Sequence, residues 1–303
     1  MRQFASFAIT AALLAVAQSP AHAKDEPPVV LKPTSNWVID FADGQCNMAR
    51  TFGTDEGGTQ DDKHAIFFRQ WAPSRSFAFS AAGSSLRKFN SRRATYVTFS
   101  DDREELETLP FAGNNDSFGR AVIYSSLSIE RDASAEDDNN DDDDTAYDGF
   151  PQLDVDVAST AQFVSLRQGK RTVRFNTGTL GEAFAVMNKC TQGLVEDWGL
   201  DVERHLTAIR MPKMTNFDSV ARRVAQKYPR QALNRGEQAI LRVRVMVDET
   251  GKATDCFISE VTRTVRLDSP ACRPLMQGTY TPALDKDGKP FASYFTTKIT
   301  YMI

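Results

Sequence analysis

The chain has 303 residues, 41% of them hydrophobic, and its 20 phenylalanines can supply apolar cores, which excludes a largely disordered polypeptide. Its 36 basic and 40 acidic residues give a formal net charge of −4. No basic stripe stands out against that balance, which argues against nucleic acid as a partner.

The first residues predict export from the cytoplasm. Met1-Arg2-Gln3 is a short positive stretch, residues 4–16 are almost wholly apolar, and Ala21-His22-Ala23 fits a signal-peptidase site. An apolar run of about 13 residues covers roughly 20 Å as a helix, whereas the hydrocarbon core of a bilayer is roughly 30 Å thick. We therefore predict a signal peptide, residues 1–23, cleaved after Ala23, and a periplasmic mature chain without a membrane span. The alternative is an uncleaved membrane anchor.

A proline-containing leader at residues 24–35 precedes a series of predicted strands, in which apolar and polar residues alternate. The strands are expected at residues 37–41, 65–71, 76–82, 95–99, 120–129, 162–166 and 172–175, the last two as a hairpin around Gln168-Gly169. Thr179 and Glu182 form a capping-box pattern that predicts the start of an amphipathic helix. Residues 36–210 are therefore predicted to form a β-rich α+β domain closed by that helix.

An acidic segment, residues 135–148, interrupts this first domain. Carboxylates are good calcium ligands, but an EF-hand loop needs glycine at its sixth position and glutamate at its twelfth. Counting from Asp137, these positions hold Asp142 and Asp148. We predict a solvated, self-repelling loop, with calcium binding as the alternative.

The last block, residues 211–303, has its own pattern of elements. Residues 211–216 are predicted to be a linker, followed by a helix at 217–226, strands at 240–247 and 253–261, a short helix that opens at Leu267-Asp268, and a closing strand at 296–303. The whole chain is therefore predicted to be α+β, with two domains after the leader.

All four cysteines follow the predicted export signal, and an even number of cysteines in an oxidising compartment indicates disulfides. Of the three pairings, we predict Cys46–Cys190 and Cys256–Cys272, because each pair then stays within one predicted domain. The chain-entropy model assigns about 5 kcal/mol to the longer loop and about 3 kcal/mol to the shorter one. A metal site is the alternative, but the sequence has no CxxC spacing, and we predict none.

A set of short motifs occurs in a fixed order along the last block. They are Tyr228-Pro229, Ala232, Gly236, Gly251 in a turn, Leu267-Asp268, Tyr280-Thr281-Pro282-Ala283 and Asp287-Gly288-Lys289-Pro290. In this order they resemble the C-terminal domain of the TonB family, over about a quarter of the chain. The pair Cys256 and Cys272 is similar to a variant of that domain in which the second strand is joined to the following helix. Pro274 departs from the pattern and implies a short or irregular helix, since proline costs about 3 kcal/mol inside a helix.

The resemblance implies a small sheet with helices on one face, and a role in recognising partner proteins. In that family an exposed strand edge can accept an extended peptide, because its backbone groups supply hydrogen bonds and its side-chain pockets supply selectivity. We expect such an edge in the closing strand, at Tyr294, Thr296, Lys298 and Thr300. The alternatives are that this strand only closes the sheet or that it forms a homodimer.

The rest of the chain departs from an energy transducer of that family. A transducer has a membrane helix and a long proline-rich span, whereas this N-terminus carries a cleavage pattern and the leader holds only Pro27, Pro28 and Pro33. The segments 46–53 and 190–199 resemble an uncharacterised bacterial envelope domain, which implies no activity.

No motif for a nucleophilic serine, a zinc protease, a P-loop or a dinucleotide fold occurs in the sequence. His64 and His205 lie in charged stretches, where we expect solvated rather than catalytic side chains. We predict no catalytic residue and no cofactor, and a periplasmic binding or adaptor protein for envelope proteins or peptides. The alternative is an envelope hydrolase of cell-wall glycans with the tail as a targeting module, since a carboxylate pair is not visible in sequence spacing.

Overall fold

The computed structural model describes residues 26–42, 44–54, 63–129, 149–227, 234, 239–260 and 271–301. The predicted signal peptide, the acidic segment and the motifs at positions 228–232, 236 and 267–268 lie outside the described residues. Within those ranges, no helix is long and apolar enough to cross a bilayer.

One eleven-stranded sheet forms most of the N-terminal part. Its strands are β1 (Val29–Pro33), β2 (Val38–Ala42), β3 (Gln45–Gly53), β4 (His64–Gln70), β5 (Phe77–Ala82), β6 (Thr95–Thr98), β7 (Leu106–Thr108), β8 (Phe111–Asn115), β9 (Gly119–Leu127), β10 (Val164–Gln168) and β11 (Arg171–Phe175). Their order is β7-β6-β10-β11-β1-β3-β4-β5-β9-β8, with β2 paired to β3. Strand β1 is parallel to β11 and antiparallel to β3, so a part of the predicted leader joins the two antiparallel sections of the sheet.

Aromatic residues build the core on one side of this sheet. Phe77 and Phe79 alternate along β5, and their ring centroids lie 4.9 Å and 5.1 Å from that of Phe68 in β4. Helix α2 (Gly181–Asp197) covers this side, with the ring of Phe184 5.5 Å from Phe77. The sequence pattern predicted both the strand and the helix, because each buries one face only.

The start of α2 differs from the prediction. Leu180 precedes the helix, and no side chain caps it, so the capping box of Thr179 and Glu182 does not form. The Leu180 amide instead donates to the carbonyl of Ala158, in α1 (Val155–Ser159), and the Leu180 side chain is fully buried. Packing on α1 therefore fixes the entry into α2.

The structure contains the disulfide Cys46–Cys190, with a Cα–Cα distance of 6.0 Å. Cys46 is the second residue of β3. The chain reverses directly between Ala42 and Gln45, where Gly44 has a φ of 73°, a conformation that glycine adopts without strain. The disulfide therefore ties α2, the helix that closes the domain, to β3, a central strand of the sheet.

The expectation of a solvated His64 is wrong. Its side chain is 1% exposed, at the first residue of β4, and its Nε2 accepts a hydrogen bond of 3.1 Å from the Ser85 amide. Gly83 makes room for the ring: a Cβ atom on Gly83 would lie 2.1 Å from Cδ2 of His64. The charged residues that precede His64 in sequence gave no sign of this contact.

The C-terminal part has a small sheet of its own. After α3 (Val202–Leu206), the elements of this part are β12 (Lys213–Met214), α4 (Phe217–Ala225), β13 (Ala239–Val247), β14 (Ala253–Glu260), α5 (Cys272–Met276), β15 (Tyr280–Thr281), β16 (Ala283–Leu284), β17 (Pro290–Phe291) and β18 (Ser293–Tyr301). The order of strands in the small sheet is β14-β13-β18. All pairings within the three-stranded sheet are antiparallel. The predicted α+β class is confirmed.

Proline 274 fits because α5 is a single short turn. It is the third residue of the helix, where no intrahelical acceptor exists for an amide proton. Cys272 begins this helix and forms the second disulfide, to Cys256 of β14, with a Cα–Cα distance of 5.7 Å. The pairing and the short helix both agree with the sequence prediction.

The two faces of the small sheet differ in chemistry. Val243, Val245 and Phe295 lie on the face that packs against α4 and α5. Arg242 and Arg244 alternate with these valines and therefore lie on the opposite face, which is turned toward the N-terminal part. The segment predicted as a linker, 211–216, includes β12, which pairs with β15.

Candidate functional site

A cleft of about 690 Å³ lies between the N-terminal part and the small sheet. The turn after β4, at residues 71–76, forms one wall, and the end of α2 at Asp197 and Trp198 forms another. The outward face of β13, β14 and β18 forms the floor. The cleft therefore exists only because the two parts of the chain pack together.

The side chains that line the cleft carry an excess of positive charge. Arg69, Arg242, Arg244 and Lys298 contribute cations, and Asp197 is the only carboxylate among the described lining residues. The whole chain, in contrast, has a net charge of −4. A recess with one sign of charge and apolar walls focuses the electrostatic potential, so this cleft favours anions.

Arg244 occupies the centre of the sheet face. Its guanidinium carbon lies 3.8 Å from the ring centroid of Trp198 and 4.5 Å from that of Phe257, its partner across the strands. It has no hydrogen bond or ion pair with any described residue, and its Nε atom is buried. Burial lowers the pKa of Arg244 to about 10, so the group stays charged at neutral pH.

Trp71 is held in the wall by the turn that follows β4. The Gln70 side-chain amide donates to the carbonyls of Ser74 and Ser76, both at 2.8 Å. The guanidinium carbons of Arg69 and Arg242 lie 5.7 Å and 5.6 Å from the Trp71 ring centroid. Cation–π contacts of this kind hold the arginines in place while keeping their charge.

His205 lies beside the cleft, at the contact between the two parts, and the expectation of a surface position is wrong. It is fully buried, with Nδ1 2.6 Å from the Asp201 carbonyl oxygen and Nε2 2.9 Å from the Ser293 hydroxyl. A carbonyl can only accept, so Nδ1 carries the proton and Nε2 accepts from Ser293. Burial lowers the pKa of His205, which keeps the ring neutral.

An ion pair reinforces this contact. Arg204 donates from Nε and Nη2 to Asp285, at 3.0 Å and 2.7 Å. The Lys289 amide and then the Arg204 guanidinium hold the pKa of the Asp285 carboxyl below its usual range. The pair links α3 to the turn between β16 and β17, so the cleft walls are fixed relative to each other.

The four predicted edge residues lie on one face of β18, the last strand of its sheet. Tyr294 is buried against Trp198 and His205, at ring-centroid distances of 5.0 Å and 5.9 Å. Thr296 is exposed, and with Lys298 it lines the cleft, while Thr300 is half-buried further along the strand.

Sequence reasoning missed the cleft itself. The predicted strand at residues 240–247 contains Arg242 and Arg244, and the segment 190–199 contains Trp198, but neither pattern indicates that these residues meet. An arginine pair on the face of a strand inside an acidic protein was the one usable signal. Within the described ranges, no group of three or more histidine, cysteine or acidic residues could hold a metal ion.

Comparison with known proteins identifies one part of the chain. A search of curated proteins found no match. The family model described as the Gram-negative bacterial TonB protein C-terminal matches residues 224–303. Domains of that family mediate interactions with envelope proteins. Residues 224–303, from the end of α4 to the last strand, are therefore a TonB C-terminal-like domain.

Proposed function

We propose that the chain is a non-catalytic binding protein of the Gram-negative periplasm, which takes an extended segment of a partner protein at the outer edge of β18. The observation that carries this proposal is the position of β18 at the end of its sheet, where no described residue pairs with its outer edge. Unpaired backbone groups of an edge strand can bond an incoming strand, and neighbouring side chains then select its sequence.

The way β18 is held supports this role. Phe295 packs into the core under the sheet, and Tyr294 is buried against the N-terminal part on the other face. A strand fixed from both faces loses little conformational entropy when a partner pairs with its edge. Partner binding therefore needs no prior ordering of this strand.

The composition of the cleft favours binding over hydrolysis. The common glycosidase mechanisms use two carboxyl groups that flank the scissile bond. Asp197 alone supplies a carboxyl group among the described lining residues. Periplasmic location is supported by the signal-peptide pattern and by the two disulfides, which form in oxidising compartments.

Photo-crosslinking in living cells tests the edge-strand proposal. A photoreactive phenylalanine analogue replaces Thr296 in β18 or, as a matched control, Thr254 in β14, since both are exposed threonines on outer strands of one sheet. We expect a distinct envelope protein to crosslink at position 296 and not at position 254. Equal crosslinks at both positions, or crosslinks at 254 alone, would contradict the proposal. A crosslink between two copies of the chain would favour the homodimer instead.

A digestion assay tests the non-catalytic part. The purified chain is incubated with isolated cell-wall glycan, and we expect no release of soluble fragments. Release by the parent protein that is abolished in Asp197→Asn would establish the hydrolase alternative.

A further inference from the structure

We infer that the cleft is a binding site for an acidic peptide segment, whose carboxylates are bound by Arg244 and the cations beside it. The inference rests on the proposed binding function and adds the chemistry of the partner. It does not require that the peptide pair with the edge of β18, because the cleft opens on the face of the sheet.

Arg244 is the anchor of this site. Two aromatic rings hold its guanidinium from β14 and from the end of α2, and none of its nitrogens bonds to a described residue. A guanidinium presents its donors as a planar fork that fits a carboxylate in a bidentate way. The carboxylate of Asp255 raises the pKa of Arg244 through space but forms no ion pair with it. A half-buried arginine whose donors bond no described carboxylate is therefore suited to an acceptor from outside the chain.

The surrounding charges reinforce that choice. Arg69 lies against Trp71 and bonds Asn47 at 2.5 Å, so its position is fixed while its charge is not neutralised by a described carboxylate. Lys298 adds a further cation on β18, directly across from Arg242 on β13. Arg69 on the wall and Arg244 on the floor can each bind a carboxylate, which describes an acidic segment rather than a single anion.

The aromatic residues favour a peptide over an acidic glycan. Sugar rings bind proteins by stacking on open aromatic faces, but Trp71 is only 9% exposed and two arginines lie against it. Trp198 is in contact with Arg244 and with Tyr294. These rings therefore orient the arginine side chains. The cleft volume of about 690 Å³ is in the range of sites that hold a few residues or a small molecule.

Binding of an acetylated hexaglutamate peptide to the full chain tests the inference, with tryptophan fluorescence as the readout. We expect Arg244→Gln to weaken binding about tenfold, the loss typical of a hydrogen-bonded charge pair. Arg174→Gln is the matched control, because Arg174 also lies 3.8 Å from an aromatic ring centroid, that of Phe163, but in the N-terminal sheet away from the cleft. We expect this control to bind like the parent.

Two further probes separate the outcomes. Lys298→Gln keeps the core intact and is expected to weaken binding about threefold, so the inference stays testable if Arg244→Gln does not fold. Trigalacturonate carries carboxylates on sugar rings. Tighter binding of this glycan than of the peptide, equal binding of hexalysine, or equal affinity in the Arg244 and Arg174 variants would overturn the inference. Thr296 also lines the cleft, so a crosslink there does not separate the two sites. Amide hydrogen exchange of residues 293–301 does, because pairing with the edge of β18 protects backbone groups whereas side-chain binding in the cleft does not. Failure of the cleft and failure of the edge strand are therefore distinguishable.

Discussion

Burial decides the charge of His205. The ring fits between Phe291 and Tyr294, with ring-centroid distances of 4.8 Å and 5.9 Å, and the charge of Arg204 further opposes a positive ring. Its Nδ1 proton is committed to the Asp201 carbonyl, so a second proton on Nε2 would face the Ser293 hydroxyl in a site closed to water. Protonation therefore opposes the contact between the two parts of the chain.

The free energy of unfolding should fall in acid partly because of this residue. The pKa of His205 is lowered in the folded state, so the unfolded state binds the proton more tightly. The contribution of neutral His205 to the free energy of unfolding is fully present above the unfolded-state pKa of about 6.5. It is lost as the pH falls toward the lower pKa of the folded state. Urea unfolding of His205→Gln between pH 8 and pH 5 should show a smaller loss of stability than the parent. Identical pH profiles would contradict this account.

Gly83 is the position where a methyl group should cost most. Its φ of 148° is unfavourable for other residues, and a Cβ atom would collide with the His64 ring. We expect Gly83→Ala to destabilise the chain by about 2 kcal/mol. Gly193 is the matched control, because it lies in α2 with nothing within 4 Å of its added Cβ. Gly193→Ala should stabilise the chain by about 0.5–1 kcal/mol. Equal effects of the two changes in urea unfolding would refute the steric argument.

At the scale of elements, the disulfides join strands to helices. The Cys46–Cys190 bond spans 144 residues and the Cys256–Cys272 bond spans 16. Replacing both cysteines of the longer loop by alanine should therefore cost about 5 kcal/mol, against about 3 kcal/mol for the shorter loop. Denaturant unfolding of the two double variants measures this difference. A larger loss from the shorter loop would show that native packing outweighs loop closure.

Elements with local signals were predictable from sequence. Three features depend only on residues that are close in sequence, so a single sequence shows their pattern. They are the alternation around Phe77 and Phe79, the hairpin at Gln168-Gly169 and the apolar face of α2. The pairing of β1 with β11 joins residues near positions 30 and 174, and no local pattern encodes it. The same holds for β12, whose two residues pair with β15 across the small domain.

The candidate site was mostly beyond prediction for the same reason. The closing strand was expected from its pattern and a partner-binding edge on it from the resemblance. Strand β18 is the last strand of its sheet, and binding at its edge stays a prediction. The cleft combines a turn near position 71, the end of α2 and the face of β13, which are far apart in sequence. Sequence spacing does not report which face of a strand meets another domain, so Arg244 and Trp198 could not be paired in advance.

At the scale of the whole molecule, the two parts share a buried contact. Tyr294 from β18 packs with Val195 and Val202 from the N-terminal part, and Arg204 pairs with Asp285 nearby. A chain with such a contact should unfold in one cooperative step rather than as two independent domains. The cleft between the parts then persists without a ligand.

Removing the Tyr294 side chain should uncouple the two parts. A buried aromatic residue replaced by alanine typically loses 3–5 kcal/mol, and here that loss falls on the contact between them. We expect Tyr294→Ala to show two thermal transitions where the parent shows one. Tyr96→Ala, a half-buried tyrosine of β6, should keep a single transition. Two transitions already present in the parent would contradict a coupled contact.

The central claim is that the C-terminal sheet recognises an envelope protein through β18. Hydrogen–deuterium exchange of the full chain, alone and in complex with the partner captured at position 296, tests it most directly. The account predicts slower exchange in residues 293–301 of the complex and unchanged exchange in residues 253–260, because pairing protects only the strand that receives the partner. Protection confined to residues 36–210 would contradict it and assign recognition to the N-terminal part.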